Sequence, residues 1–311
     1  RDAGLQLSPV GAVVVTPQQR TSDPHIWAVG DAIQVHDFVT GAPGVVPLAG
    51  PANRQGRVAA DAIMGRPSAS RPVMGTAIVR VFGLTAAVTG PTSRRLKAAG
   101  VEHHVVHLMP NDHASYYPGA EKVHMAVLFA PDGALLGAQA VGRAGVDKRI
   151  DVLATALRAG FDVDDLAELE LAYAPPFGSA KDPVNMAAFI AQNVLDGTLA
   201  LWSAYDVDSY LDGSVLLLDV RTPAEYRKDH LPGAVNVPHT ELRERIDEVL
   251  ELAEGRPVRG ICESGFRSYL AHRVLGAHGV DSASLDGGMA TLRAARPDVP
   301  LVMESPQAVT S

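Results

Sequence analysis

The chain has 311 residues, nearly half of them apolar, with 35 acidic against 27 basic side chains and a net charge of −8. That length holds about two or three packed domains, and the acidic balance argues against nucleic acid as the main partner, because backbone binding needs basic patches. The single cysteine excludes an internal disulfide, no apolar stretch is long enough to span a bilayer, and no secretory leader pattern is present, so no membrane partner and a reducing cytoplasm are expected.

In chain order, residues 11–15 (Gly-Ala-Val-Val-Val) read as a strand, and residues 26–32 read as an apolar strand that stops at Gly30-Asp31. A strand ending in Gly-Asp lets a backbone approach a ligand and sets a carboxylate where it can accept from a hydroxyl. From Pro47, Leu48 and Ala49 to Ile63 the pattern is a helix with small residues on its packed face. Residues 76–82 and 101–108 read as strands around a helix at 92–99, where Arg94, Arg95 and Lys97 form a solvated face. Residues 123–129 and 134–141 flank Pro131-Asp132-Gly133, a strong hairpin signal. Helices are expected at 147–159, 163–169 and 182–195. The unbroken apolar run 215–218 ends in Asp219-x-Arg221, the pattern of a strand buried on both faces, with the two charges pairing at its end. Residues 241–253 carry one apolar stripe and read as a surface helix. His103, His104, His107 and His113 lie close together, but no cysteine or recurring acid completes a ligand set, and no metal is expected.

The lone thiol is the most informative residue. Cys262 follows the apolar strand end 258–261 and precedes Glu263, Ser264, Gly265, Phe266 and Arg267, after which Tyr269, Leu270, Val274 and Leu275 recur at helical spacing. A strand-to-helix turn of this kind points free helix-start amides into the loop, and Arg267 adds a cation, both of which favour a thiolate nucleophile. Tyrosine phosphatases place five residues between the cysteine and the arginine. Here there are four, a ring suited to one sulfur atom carried as a persulfide. The plain alternative is a buried structural thiol, against which stand the polar neighbours and the turn-permitting Gly265.

Three further blocks accompany this loop: Val-Leu-Leu-Leu-Asp-Val-Arg-Thr-Pro-Ala-Glu-Tyr at 215–226, His-Leu-Pro-Gly-Ala-Val-Asn-Val-Pro at 230–238 and Leu-Asp-Gly-Gly-Met at 285–289. Together with the loop they resemble a single rhodanese domain, which implies sulfurtransferase chemistry with Cys262 as carrier. Met289 stands where many relatives have Trp. The Gly30-Asp31 turn with the helix behind it resembles the second flavin-contacting segment of the pyridine nucleotide-disulfide oxidoreductases. That resemblance implies FAD contacts at Gly30, Asp31, Pro47, Leu48 and Ala49. The middle region resembles the dimerisation domain of the same enzymes. His-Ala-Ser-Tyr-Tyr-Pro-Gly-Ala at 113–120 and the stretch 171–183 around Tyr173 are similar to coenzyme A-disulfide reductase and its rhodanese fusions. There Tyr116 and Tyr173 would approach the partner subunit's flavin and redox cysteine; the plain alternative is aromatic packing at a dimer interface, and Tyr117 is the alternative register for Tyr116.

No Gly-x-Gly-x-x-Gly occurs, so the FAD site is expected to be incomplete in this chain and the NAD(P)H site absent from it. The expected architecture is α/β: a partial FAD-binding segment at 1–72, an α+β dimerisation domain at 73–181, a linker helix at 182–200, a rhodanese-like α/β domain with a parallel sheet at 201–303, and a tail at 304–311. The expected function is that of the C-terminal part of an FAD-dependent, NAD(P)H-oxidising reductase, a homodimer acting on coenzyme A disulfide, persulfides or other small thiols. The alternatives are a non-catalytic adaptor that binds a persulfide or a protein, and an NADH oxidase or peroxidase of the same superfamily.

Overall fold

The computed structural model describes residues 3–304, so the expected tail lies outside the described residues from position 305 onward. Two compact units divide the chain, the first running to Val105 and then taking Asp112–Leu166 and Ala172–Ser179, the second taking Val106–Asn111, Ala167–Leu171 and the chain from Ala180 onward.

In the first unit, a 3-10 turn at Gly30–Ala32 precedes a two-residue antiparallel pair, β1 (Val35–His36) and β2 (Pro43–Gly44), and then the helix α1 (Ala49–Ile63). Residues 11–15 do not form the expected strand. Within them only Val13 is bridged, to Leu7 and Ile33, and residues 26–32 hold a single bridge, Trp27 to Arg20. Both stretches lack a partner along their length, and a ladder needs one at each pair of residues. On α1 the positions 52, 55, 56 and 59 are buried or half-buried, and three of these four are Ala or Gly, the packed face the sequence suggests.

A five-stranded sheet follows, in the order β3 (Ala77–Val81), β4 (Leu84–Thr89), β7 (Leu135–Gly142), β6 (Val123–Phe129) and β5 (His104–Leu108), with β3, β4, β7 and β6 antiparallel, the residues of β5 from Val106 onward counted in the second unit, and α2 (Ser93–Ala98) between β4 and β5 in the chain. β4 is absent from the sequence reading. The turn that starts it, Phe82-Gly83, has φ of 47° and 81°, positive at both residues as a tight hairpin requires. A phenylalanine there gives no turn signal, because bulky residues seldom adopt that conformation. The helix α3 (Val146–Ala159) packs on β7 and β4 through Ile150, Leu153 and Leu157, and α4 (Val163–Ala167) follows it.

The second unit contains α5 (Pro183–Leu195), started by the Asp182 side chain accepting from the Val184 amide, with Pro183 as its first residue. Its sheet is wholly parallel, as the resemblance implies, in the order β10 (Val235–Asn236), β9 (Leu216–Asp219), β11 (Val258–Ile261), β12 (Ser282–Leu285) and β8 (Leu201–Trp202). After α5 this unit also holds the α-helices α6 (Pro223–Lys228), α7 (Ile246–Ala253), α8 (Phe266–Ala277) and α9 (Gly288–Ala295). α7 begins five residues later than the sequence pattern suggests, because residues 239–245 form successive turns. All four residues of β9 are buried: Leu217 joins Trp202, Ile261, Leu285 and Met289 on one face, while Leu216 and Leu218 join Val249, Val258 and Leu275 on the other.

Beyond β9, Asp219 and Arg221 pair as expected, and neither has exposed surface. The Arg221 Nε donates to both Asp219 oxygens at 3.1 Å, Nη2 donates to Oδ2 at 2.7 Å, and Nη1 reaches Asp229 at 3.1 Å. Truncating one partner of such a buried set strands the other charges. Arg221→Ala is therefore expected to lower stability by about 3–5 kcal/mol in chemical denaturation; a loss below about 1 kcal/mol would show the charges to be solvated.

Candidate active site

β11 carries Cys262 to the carboxyl end of the parallel sheet, and α8 starts four residues later. The cysteine is 1% exposed. Its Sγ accepts from the Gly265 amide at 3.1 Å and from the Ser268 hydroxyl at 3.2 Å. Gly265 has φ +93°, a conformation that turns its amide inward and that a side chain would strain. Ser268 Oγ also lies 3.1 Å from the Gly265 carbonyl and 2.7 Å from Ser284 Oγ.

The carbonyls of the loop face the other way, toward α9. The Met289 amide donates to Cys262 O at 2.9 Å and the Ala290 amide to Glu263 O at 3.1 Å. At Gly288, with φ +64°, a Cβ would come within 2.5 Å of Cys262 O, Glu263 C and Ser264 N. The Gly-Gly of the 285–289 block thus allows one backbone to lie on another, and Met289 is fully buried beneath it.

Arg267 is not hydrogen-bonded to the sulfur. Its two terminal nitrogens donate to the Glu225 carboxylate at 2.7 Å each, so the cation expected on the thiolate is already paired. Glu225 is also the second half of a capping box, accepting from the Thr222 amide and hydroxyl at the start of α6. The Arg267 guanidinium, with Thr222 adding to it, holds the Glu225 carboxyl down at about 2. Glu263 is held by Arg293 at 2.8 Å, while Ser264 and Phe266 are exposed.

Of the tyrosines, the structure brings together the pair singled out by sequence: the hydroxyls of Tyr116 and Tyr173 lie 3.4 Å apart, both on exposed side chains. The bond to Tyr173 raises the pKa of Tyr116. Tyr117 takes another course, with its ring edge-on to His113 at 5.9 Å. Near the amino end, the Gly30 amide donates to Gln55 Oε1 at 2.8 Å, which ties the 3-10 turn to α1. Asp31 is exposed, and its carboxylate makes no hydrogen bond among the described residues. Leu48 supplies no side-chain cap, leaving the Ala49 and Gly50 amides for a ligand or water. An open carboxylate with open amides fits the acceptor and donor needs of a flavin's ribityl chain and ring.

The clustered histidines separate: His103 bonds Ser93 at 2.8 Å, His104 stacks on Phe129, His107 bonds Asp286 and His113 bonds Asp112. Among the described residues no group of three or more His, Cys, Asp or Glu is placed to hold a metal ion, and no helix is long and apolar enough to cross a membrane.

Two family models match the sequence. Residues 76–183 match the pyridine nucleotide-disulphide oxidoreductase dimerisation domain, and residues 203–295 match the rhodanese-like domain. The chain carries both of these domains. A coenzyme A disulfide reductase of Staphylococcus epidermidis is 37% identical over 194 residues, which is 62% of this chain and 44% of that protein. The crystal structure of reduced Bacillus anthracis CoADR-RHD is 43% identical with a TM-score of 0.91, covering 95% of this chain and 53% of that one. A NAD-dependent persulfide reductase from A. fulgidus is 37% identical with a TM-score of 0.85, covering 93% and 52%. The chain thus spans about half the length of the relatives it matches.

Within the rhodanese-like domain, the sequence reading missed Ser268, Glu225 and Gly288. Thr-Pro-Ala-Glu at 222–225 is a readable capping box, but its second bond to Arg267 joins residues 42 positions apart. A carboxyl lowered from 4.5 to about 2 adds stability that is present above its unfolded value and is lost as pH falls through about 2. Glu225→Gln is expected to flatten the melting temperature over that window, and an unchanged acid limb would show the bond to be worth nothing in solution.

Proposed function

We propose that the chain is the dimer-forming and sulfur-carrying portion of an FAD-dependent, NAD(P)H-oxidising reductase of coenzyme A disulfide and related persulfides. Cys262 carries the sulfane sulfur. The reading rests above all on one observation: the buried Sγ receives the Gly265 amide and the Ser268 hydroxyl inside a four-residue loop. These two donors aim the sulfur, and a thiolate is the attacking species in a transfer of this kind. The thiolate takes the outer sulfur of a donor such as thiosulfate, sulfite departs, and Gly265 and Ser268 remain as donors to the sulfur pair. Arg267 makes no bond to the sulfur and, through its double bond to Glu225, would hold the start of α6 to the start of α8 beside the loop.

In the same proposal Asp31, Gly30 and the start of α1 at Pro47, Leu48 and Ala49 would hold FAD, which supplies two-electron transfer from NAD(P)H when bound. Tyr116 and Tyr173 would stand at the reductase centre of the other subunit. A neutral phenol donates a hydrogen bond to a departing thiolate, and the pair lets one hydroxyl orient the other. A homodimer is supported by the exposed apolar hairpin Ile78, Val79, Val81 and Phe82, and by exposed Tyr173 and Phe177, which are costly to leave in water.

Two measurements test this. The chain incubated with thiosulfate or glutathione persulfide is expected to gain one sulfur on the peptide holding Cys262, and Cys262→Ala none; a folded chain whose thiol stays unmodified with every donor would favour a binding module instead. Sedimentation at micromolar concentration is expected to show a dimer, and Phe82→Glu with Val79→Glu to shift it toward monomer. A strictly monomeric parent chain would remove the cross-subunit role of both tyrosines.

A further inference from the structure

In the second unit, a cavity of about 130 Å³ opens beside the cysteine loop, lined by Ser264, Gly265 and Phe266 of the loop and by residues of α5, β8 and β12. Its walls are mostly apolar, with Met186 and Ile190 from α5 and Leu199 before β8. No lysine or arginine lines it. An empty apolar space of roughly 150 Å³ holds a molecule the size of benzene, so this cavity suits an uncharged arm of about six or seven heavy atoms and gives no counter-ion to an anionic one.

One ionisable pair stands in that wall. The Asp286 Oδ2 lies 2.6 Å from His107 Nδ1, and its Oδ1 accepts the His107 backbone amide at 2.8 Å. Asp286 immediately precedes the Gly287-Gly288 backbone that lies on the loop. The carboxylate fixes the tautomer: Nδ1 carries the proton toward Asp286, and Nε2, which makes no hydrogen bond among the described residues, is the basic atom. This is the relation of histidine to aspartate in a hydrolase triad, with an incoming thiol in place of the serine. Burial pulls the His107 pKa down, but the hydrogen bond and charge of Asp286 outweigh it, so the pKa is raised. Besides these two, Tyr269 is the ionisable side chain lining the cavity.

We propose that this cavity is the acceptor site of the sulfur carrier, taking a thiol on a short uncharged arm, and that His107 is the base that removes the thiol proton, with Asp286 positioning it. The inference rests on the persulfide role proposed for Cys262 and specifies its second half. His107 Nε2 takes the proton of the acceptor R–SH. The thiolate attacks the outer sulfur of the Cys262 persulfide, a new S–S bond forms, the Cys262 S–S bond breaks, and its electron pair stays on Sγ as thiolate. No oxidant is consumed, and the product is the acceptor persulfide.

The test uses the full chain, loaded on Cys262 with thiosulfate and discharged in a single turnover to N-acetylcysteamine or to sulfite. Sulfite attacks without giving up a proton, so it bypasses the base. His107→Asn keeps an amide able to bond Asp286 but loses the basic nitrogen. Because a thiol of pKa about 8.5 is only a few per cent ionised at pH 7, that variant is expected to slow discharge to N-acetylcysteamine about tenfold at pH 7, with less than a twofold effect on sulfite. Its rate is then expected to rise with pH through the thiol's own ionisation rather than through that of His107. Ile190→Trp, which narrows the cavity, is expected to raise KM for N-acetylcysteamine severalfold and to spare discharge to sulfite. Unchanged discharge and pH profile in His107→Asn, or a parallel loss with both acceptors, would overturn the base; an unchanged KM in Ile190→Trp would overturn the site. Failure of the parent chain to load sulfur would remove the carrier role itself, and the acceptor site with it.

Discussion

Arg221 is a full positive charge with no exposed surface, and the rhodanese-like domain is organised around keeping it paired. Asp219 at the end of β9 grips it from one side and Asp229 after α6 from another, and Glu263 of the cysteine loop approaches at 3.5 Å. Arg293 on α9 then bridges Asp229 and Glu263. A sheet strand, two helices and the loop are thereby joined through one buried guanidinium. Such a network is weak evidence of added stability, since desolvation offsets most of the attraction, but the loss of any member is costly. Its effect is on position: the loop has one place to be.

The same network limits what charge can do for the sulfur. Around the loop three carboxylates, Asp219, Asp229 and Glu263, face two guanidiniums, Arg221 and Arg293, and the nearby Arg267 is matched by Glu225. Each of these guanidiniums is thus paired with a carboxylate and none is bonded to the sulfur among the described residues. The groups that do reach the sulfur are neutral: the Gly265 amide, fixed by its backbone, and the Ser268 hydroxyl at the start of α8. A dipole locked by backbone geometry needs no reorganisation when the charge beside it changes, whereas a mobile side chain does.

Much of this was legible in the sequence, and what was not shares a cause. The buried strand 216–219, the Asp219-Arg221 pair, the turn at Gly265 and the start of α8 follow from local pattern, because each is decided by residues a few positions apart. The Tyr116-Tyr173 pair needed the family resemblance, since nothing local joins positions 57 apart. The hidden features are contacts at long range or conformations without a residue signature. Ser268 looks like any helix serine until Cys262 is set beneath it, Glu225 looks like a cap alone, and β4 is concealed by a phenylalanine in a turn that favours glycine or asparagine. At the amino end the pattern overstates the structure, because residues 11–15 and 26–32 are apolar and extended while their pairing stops at single bridges.

Ser268 also shows how the loop can serve two states of the same sulfur. A hydroxyl has one proton to donate, and three acceptors lie within reach of Ser268: Sγ, the Gly265 carbonyl and Ser284 Oγ. Toward a thiolate, Ser268 gives its proton to sulfur and can accept from Ser284. Toward a neutral thiol, or a persulfide whose charge has moved to the outer atom, it can turn to the Gly265 carbonyl or to Ser284. Both serines are buried, so the exchange runs between protein atoms without water. The Gly265 amide, held by its own backbone, keeps its direction throughout. One donor is fixed and one rotates, so under the proposed carrier role a rigid four-residue ring would keep one bond to the sulfur while the other follows its charge.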